Sequence, residues 1–138
     1  MSAFVDTSVW YAAADKSDRN NHSAKRILAA SEQWVTTDHV LIETWFLLRY
    51  RLGKTAAEIF WARLPAVVST LESVTLADLE NARIIQDNFP DQDFSIVDRT
   101  SFAVMSRMGI TTVASYDQDF MVYRFGKDKQ KAFKILNP

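Results

Sequence analysis

Short runs of β-favouring residues alternate with longer helical stretches along nearly the whole chain. This alternation limits the fold more than any other feature. A strand, a helix and a further strand in succession make a parallel sheet with crossover helices. The pattern predicts a strand at Phe4–Val5, a helix from Thr7 to about Ala14, and a polar loop over "DKSDRNN". A helix from His22 to about Ser31 and a strand over "QWVTT" come next. A long helix runs from Asp38 to Leu52 and stops at Gly53, a usual residue just past a helix end. A further helical stretch starts at Thr55, and Pro65 bends or interrupts it. "ESVTL" reads as a strand, and Thr75 with Asp78 reads as a capping box opening a helix through Asn88. After the loop "FPDQDF", Ser95 caps a helix to about Met108 that Gly109 ends; "TTVAS" is a strand, "YDQDF" a turn and "AFKIL" a last strand. The expected class is α/β, a mostly parallel central sheet flanked by helices.

The 138 residues suit one domain spanning 1–138. At 48% apolar the chain can build a core, which excludes disorder as its default state. The absence of cysteine excludes disulfides, thiolate nucleophiles and cysteine-based zinc sites, and it fits a reducing compartment. The start, "MSAFVDTS", lacks the basic region and apolar core of a secretory signal. No run approaches the ~18 apolar residues of a membrane span. The nearest, "VLIETWFLL", carries Glu43. The expectation is a cytoplasmic protein with no membrane partner. A net charge of −1 argues mildly against a nucleic-acid binder. A carboxylate site around a metal would mask a basic excess, because the sequence counts the ligands and not the cation.

Four carboxylates stand in informative places. Asp6 closes the first strand and Asp117 follows "TTVAS", so both belong at the carboxyl edge of a parallel sheet, where ligands bind. Each could equally cap the next helix or turn. Glu43 has His39, Val40, Phe46 and Leu47 as its helical neighbours and no Lys or Arg among them, so the usual surface ion pair lacks its partner. It could also reach solvent over a thin apolar face. Asp98 sits three after Ser95 in "SIVD", a spacing that a capping box alone explains, yet Asp91, Asp93 and Asp98 crowd eight residues. Jointly, two acids at strand ends, one on an apolar helix and one at a helix start form the oxygen-only set that Mg²⁺ or Mn²⁺ prefers.

These residues resemble the PIN-domain nucleases, and most of all the VapC toxins of bacterial toxin–antitoxin pairs. The matching segments are "FVDTS", "LIETWFLL", "FSIVDRTSFAVM" and "ASYDQDF", in the family's order and across nearly the whole chain. The resemblance implies a PIN-like, three-layer α/β/α fold. It implies that Asp6, Glu43, Asp98 and Asp117 form the catalytic acidic quartet that binds Mg²⁺ or Mn²⁺. Asp119, two beyond Asp117, could share or replace its role. Asp91 matches an acid often seen before the "FS" segment, and it could sit in the outer shell. The short hydroxyls Thr7, Ser8 and Ser101 stand beside matched acids, where they could hydrogen-bond a ligand carboxylate or a metal-bound water, or simply satisfy free helix N–H groups.

The function expected is metal-dependent hydrolysis of RNA phosphodiesters by activated water, leaving 5′-phosphate and 3′-hydroxyl ends. Arg49, Arg51, Lys54, Lys16, Arg19 and Arg99 are candidate contacts to the RNA backbone, each also an ordinary solvated charge. Lys127, Lys129, Lys131 and Lys134 form a basic segment that solubility alone explains. A metal-free ribonuclease would need an acid–base pair, and only His22 and His39 are present to form one. A non-catalytic metal- or RNA-binding module on the same fold is the other alternative. Haloacid-dehalogenase-type phosphatases want an acid where Ser8 stands. A receiver domain lacks its acid pair and strand-end lysine here. Trp45, Phe46, Phe60 and Trp61 are expected mostly in the core, with some left for a partner helix or a dimer face. The family implies a homodimer and a cognate antitoxin that covers the site.

Overall fold

The computed structural model describes residues 2–30 and 32–137. Among these described residues five strands form one sheet: β1 (Ser2–Val5), β2 (Gln33–Thr37), β3 (Thr70–Glu72), β4 (Thr112–Ala114) and β5 (Lys134–Leu136). Their spatial order is β3-β2-β1-β4-β5 and every pair is parallel. The register sets Phe4 opposite both Val35 and Val113. β1 is therefore central, and Ala3, Phe4 and Val5 are buried, which is why it reads as a continuous apolar run. Chain order runs outward from β1 in both directions, so the topological switch lies between β1 and β4, where such sheets open a ligand crevice.

Among the described residues seven α-helices connect and cover the strands: α1 (Thr7–Ala14), α2 (Asn21–Leu28), α3 (Asp38–Leu52), α4 (Lys54–Val67), α5 (Leu76–Asn88), α6 (Ile96–Met108) and α7 (Gln118–Val122). α3 ends where Gly53 takes φ of 101° and donates its N–H to Leu48 and Arg49 carbonyls, so α4 restarts at once. Pro65 sits inside α4. Ser31, where the sequence set the end of the second helix, lies outside the described residues.

Two local expectations are corrected. The third strand is Thr70–Glu72, meeting "ESVTL" only at Glu72. The Val74 N–H goes to the Asp38 carboxylate at 3.1 Å instead of a ladder, and Thr75 is already the cap of α5. "YDQDF" is not a bare turn; Asp117 caps a short helix there. Of the four aromatics expected mainly inside, Phe60 is buried and Trp45 half-buried, while Phe46 is 63% and Trp61 43% exposed.

The packing that positions the acids is aromatic. Phe102 of α6 stacks on Tyr123 at 4.1 Å and meets Phe94 at 5.3 Å and Phe120 at 4.9 Å, both edge to face. Phe102 and Phe120 are fully buried, and truncating either to Ala should cost about 3–5 kcal/mol. This cluster fixes the start of α6 against α7. Among the described residues no helix is long and apolar enough to cross a membrane.

Candidate metal centre

The end of β1 and the end of β4 are tied together before any ligand is considered. The Asp6 N–H donates to the Ala114 carbonyl at 3.1 Å. Its Oδ2 accepts from the Ser8 hydroxyl at 2.7 Å, the Ser8 N–H at 3.3 Å and the Ser115 hydroxyl at 2.9 Å. The two hydroxyls accept in turn: Ser8 Oγ from the Tyr116 N–H at 2.9 Å, and Ser115 Oγ from the Asp117 N–H at 3.0 Å. Asp6 is thus both the cap of α1 and the anchor of the turn that carries Asp117. The capping and ligand readings of Asp6 are compatible, because only Oδ2 is used in these bonds.

Asp117 caps α7 by accepting the Asp119 N–H at 2.9 Å, which sets Asp119 beside it. Asp98, in the first turn of α6, donates its N–H to Ser95 Oγ at 3.0 Å. Carboxylate oxygens of Asp98, Asp117 and Asp119 all lie within 4.8 Å of one another. Asp6 from β1 and Glu43 from α3 line the same cavity, of about 570 Å³, but stand outside this tightest group. Glu43 is half-buried; Asp6 and Asp98 are buried.

The electrostatics follow from the crowding. Burial pushes Asp6 up to about 6, aided by the Asp117 charge and opposed by the Ser8 and Ser115 hydrogen bonds. Burial raises Asp98 to about 9, reinforced by a hydrogen bond shared with Asp119 and by the charges of Asp6, Asp117 and Asp119. Burial raises Asp117 too, with Asp119 adding repulsion while its N–H opposes it. Alone, this set keeps protons that ordinary carboxylates lose. Thr7 lines the cavity, and its Oγ1 is a buried hydroxyl with no hydrogen-bond partner among the described residues. Clustered acids, oxygen-only donors and an unspent hydroxyl fit a hard divalent cation and its water shell.

The other sequence candidates scatter. Asp91 is exposed on its loop, and Asp93, two residues on, lines the cavity instead. Ser101 is buried and turns its hydroxyl back to the Val97 carbonyl at 2.8 Å, an internal helix bond. Arg99 Nε donates to the Phe94 carbonyl at 3.1 Å. Arg49, Lys54, Lys16 and Arg19 are exposed and outside the cavity lining; Arg51 lines it. Neither His22 nor His39 lines it. Asp18, Asn20, Tyr11 and Tyr116 do, and sequence reasoning did not single them out. Only Asp18 and Asn20 carried a signal, as polar residues in the loop after the helix that Asp6 opens.

The PIN domain family model matches residues 3–126. The 23S rRNA-specific endonuclease VapC20 of Mycobacterium tuberculosis is 40% identical over 126 residues, covering 88% of this chain and 94% of that protein. The crystal structure of that organism's VapC20, described as a sarcin–ricin loop cleaving toxin, aligns with a TM-score of 0.80 at 40% identity, covering 86% of this chain and 92% of its own. VapBC2 from Rickettsia felis, bound to a DNA fragment from its promoter, aligns with a TM-score of 0.66 at 10% identity, over 88% of this chain and 91% of the other. FitAcB from Neisseria gonorrhoeae aligns at 0.58 and 14%, over 86% and 88%. These last two share the fold. The family match spans most of the chain and two residues in five are shared with VapC20, so the chain belongs to the PIN-domain family, on its VapC toxin branch.

Proposed function

We propose that this chain is an endoribonuclease toxin that hydrolyses a phosphodiester in ribosomal RNA, with Mg²⁺ or Mn²⁺ as cofactor. The observation that carries the reading is the Asp98–Asp117–Asp119 group, whose oxygens lie within 4.8 Å of each other beside Asp6 and Glu43. Asp6, Glu43, Asp98 and Asp117 are the proposed ligands, with Asp119 sharing the Asp117 position. When bound, such an ion lowers the pKa of water, orients the phosphate and offsets charge on the leaving oxygen.

The chain's own residues do the rest. Ser8 and Ser115 hold one oxygen of Asp6 and leave the other for a ligand. Asp98 and Asp117, raised in pKa, hold protons that a bound cation would displace. The unspent Thr7 hydroxyl is available to a water or a phosphate oxygen. The substrate class follows from likeness to VapC20, described as cutting the sarcin–ricin loop of 23S rRNA. A cognate antitoxin as partner follows from the same branch of the family, and a homodimer is part of the proposal.

A hairpin RNA carrying the sarcin–ricin loop sequence, incubated with the protein in Mg²⁺ and in EDTA, tests this. Cutting in Mg²⁺ alone, with 5′-phosphate and 3′-hydroxyl ends, is the expected result. Cutting in EDTA that leaves a cyclic phosphate would point to a histidine mechanism. No cutting by wild type, with tight RNA or metal binding, would leave the binding module.

A further inference from the structure

We infer that Arg51 is the cation that receives the RNA phosphate flanking the scissile one, and that Tyr11 and Asp15 are positioning residues holding its guanidinium at the cavity rim. This rests on the nuclease reading above.

Asp15 ends α1 and is buried. Its Oδ2 accepts the Tyr11 hydroxyl at 2.8 Å, and its Oδ1 accepts the Ser17 hydroxyl at 2.6 Å and the Ser17 N–H at 2.9 Å. Those hydrogen bonds satisfy the carboxylate, and the nearby Arg51 charge adds a smaller contribution. The Ser17 bond leads in holding Asp15 below the usual carboxylate range, so it is a fixed anion. Tyr11 is buried with its ring immobilised by that bond. The Arg51 guanidinium lies over the ring, 5.0 Å from its centroid.

Arg51 itself is exposed and forms no ion pair among the described residues. A merely structural arginine beside a buried aspartate would pair with it, as Arg107 pairs with Asp78 at 2.8 Å. Here Tyr11 and Ser17 have taken the aspartate's hydrogen bonds, and the guanidinium faces the Tyr11 hydroxyl and the Asp15 charge without pairing to a carboxylate among the described residues. Among the described residues Arg51 is also the one basic side chain lining the acidic cavity. Glu43 and Arg51 lie on one helix with Leu47 between them, all three lining the cavity. Eight residues of α-helix separate their Cα atoms by about 12 Å. RNA approaching such an acid-lined cavity meets repulsion, and a guanidinium held over the Tyr11 ring supplies the bidentate, preorganised phosphate contact that offsets it.

The test uses the full chain and the sarcin–ricin hairpin RNA, with binding followed by anisotropy in EDTA over a salt series and cleavage followed in Mg²⁺. Arg51→Ala should flatten the slope of log K against log salt by about 0.7–0.9 and lower kcat/KM by about tenfold or more. Arg51→Lys should keep the slope and still lose turnover, because a point charge cannot make the guanidinium's bidentate contact. Tyr11→Phe keeps ring and charge, so slope and KM should hold while kcat falls; Asp15→Asn should follow it. If wild type cleaves and Arg51→Ala keeps both slope and kcat/KM within about twofold, the phosphate role is wrong. If Tyr11→Phe lowers the melting temperature and leaves kcat of the folded protein untouched, the positioning role is wrong. If wild type cuts nothing in Mg²⁺, the nuclease reading fails, and the salt slopes in EDTA still decide Arg51.

Discussion

Asp98 donates its N–H to Ser95 Oγ at 3.0 Å, yet its carboxylate makes no return bond to the Ser95 backbone. The same four-residue spacing one helix earlier does close. Thr75 Oγ1 accepts the Asp78 N–H at 3.2 Å, and Asp78 Oδ2 accepts the Thr75 N–H at 2.9 Å. Asp78 also meets Arg107, with Nε at 3.0 Å and Nη2 at 2.8 Å. One acid is spent on structure and matched by a guanidinium. The other points at Asp117 and Asp119, with no cation of the chain paired to it among the described residues.

Asp98→Asn should separate function from stability. An amide keeps the bond to Asp119 and removes a group whose burial and neighbours raise its pKa to about 9. Cleavage should fall by about 10²-fold or more, while the metal-free protein at pH 7 gains at least about 1 kcal/mol. Urea unfolding in EDTA checks the second outcome, and a loss of stability there would show that Asp98 is structural.

The pH dependence has a definite sign. Unfolded aspartates release protons near pH 4, whereas native Asp6 keeps its proton to about 6 and Asp98 to about 9, both chiefly through burial. Between pH 4 and 9 the native state therefore binds more protons, and stability in EDTA falls as pH rises. A divalent cation replaces those protons, so the Mg²⁺- or Mn²⁺-induced rise in melting temperature should grow across the same window. Thermal scans at several pH values, with and without metal, would show an increment that stays constant across the window if protons and metal do not compete.

Ser8→Ala removes a donor to Asp6 and the acceptor of the Tyr116 N–H together. The expected cost is about 1–3 kcal/mol of stability and about tenfold in metal affinity. Ser101→Ala, whose hydroxyl only back-bonds to Val97, should leave metal affinity unchanged. Calorimetric titration of both variants with Mn²⁺ makes the comparison.

Arg107→Ala serves as a purely structural contrast. It strands the buried Asp78 and frees Glu72, and Arg107 is itself partly exposed, so about 2–3 kcal/mol should be lost. Metal affinity of the folded fraction should match wild type; a loss of metal binding would mean that α5 and α6 set the acid geometry more tightly than their packing implies.

Much of this was legible in the chain. Asp6 at a strand end, the capping signals at Thr75 and Ser95, and Gly53 and Gly109 as stops all depend on neighbours close in sequence, and the elements they imply are present. The third strand was misplaced because the β-branched Val74 and Thr75 favour extended backbone, which here serves a loop fixed by Asp38 and a helix cap. Ser101 looked like a ligand's neighbour by position alone; its rotamer, set by the Val97 carbonyl, sends it into the helix. Tyr11 and Tyr116 carry no local mark of the cavity they line, because closure of the chain across the β1–β4 switch brings their elements together.

Titration of the metal-free protein with Mn²⁺, followed by the electron paramagnetic resonance of the free ion, addresses the acidic cavity most directly. Wild type should show saturable binding that weakens by about tenfold or more in Asp98→Asn and in Asp117→Asn, with Asp91→Asn indistinguishable from wild type. Equal binding by wild type and Asp98→Asn would mean that these carboxylates gather for a reason other than a cation.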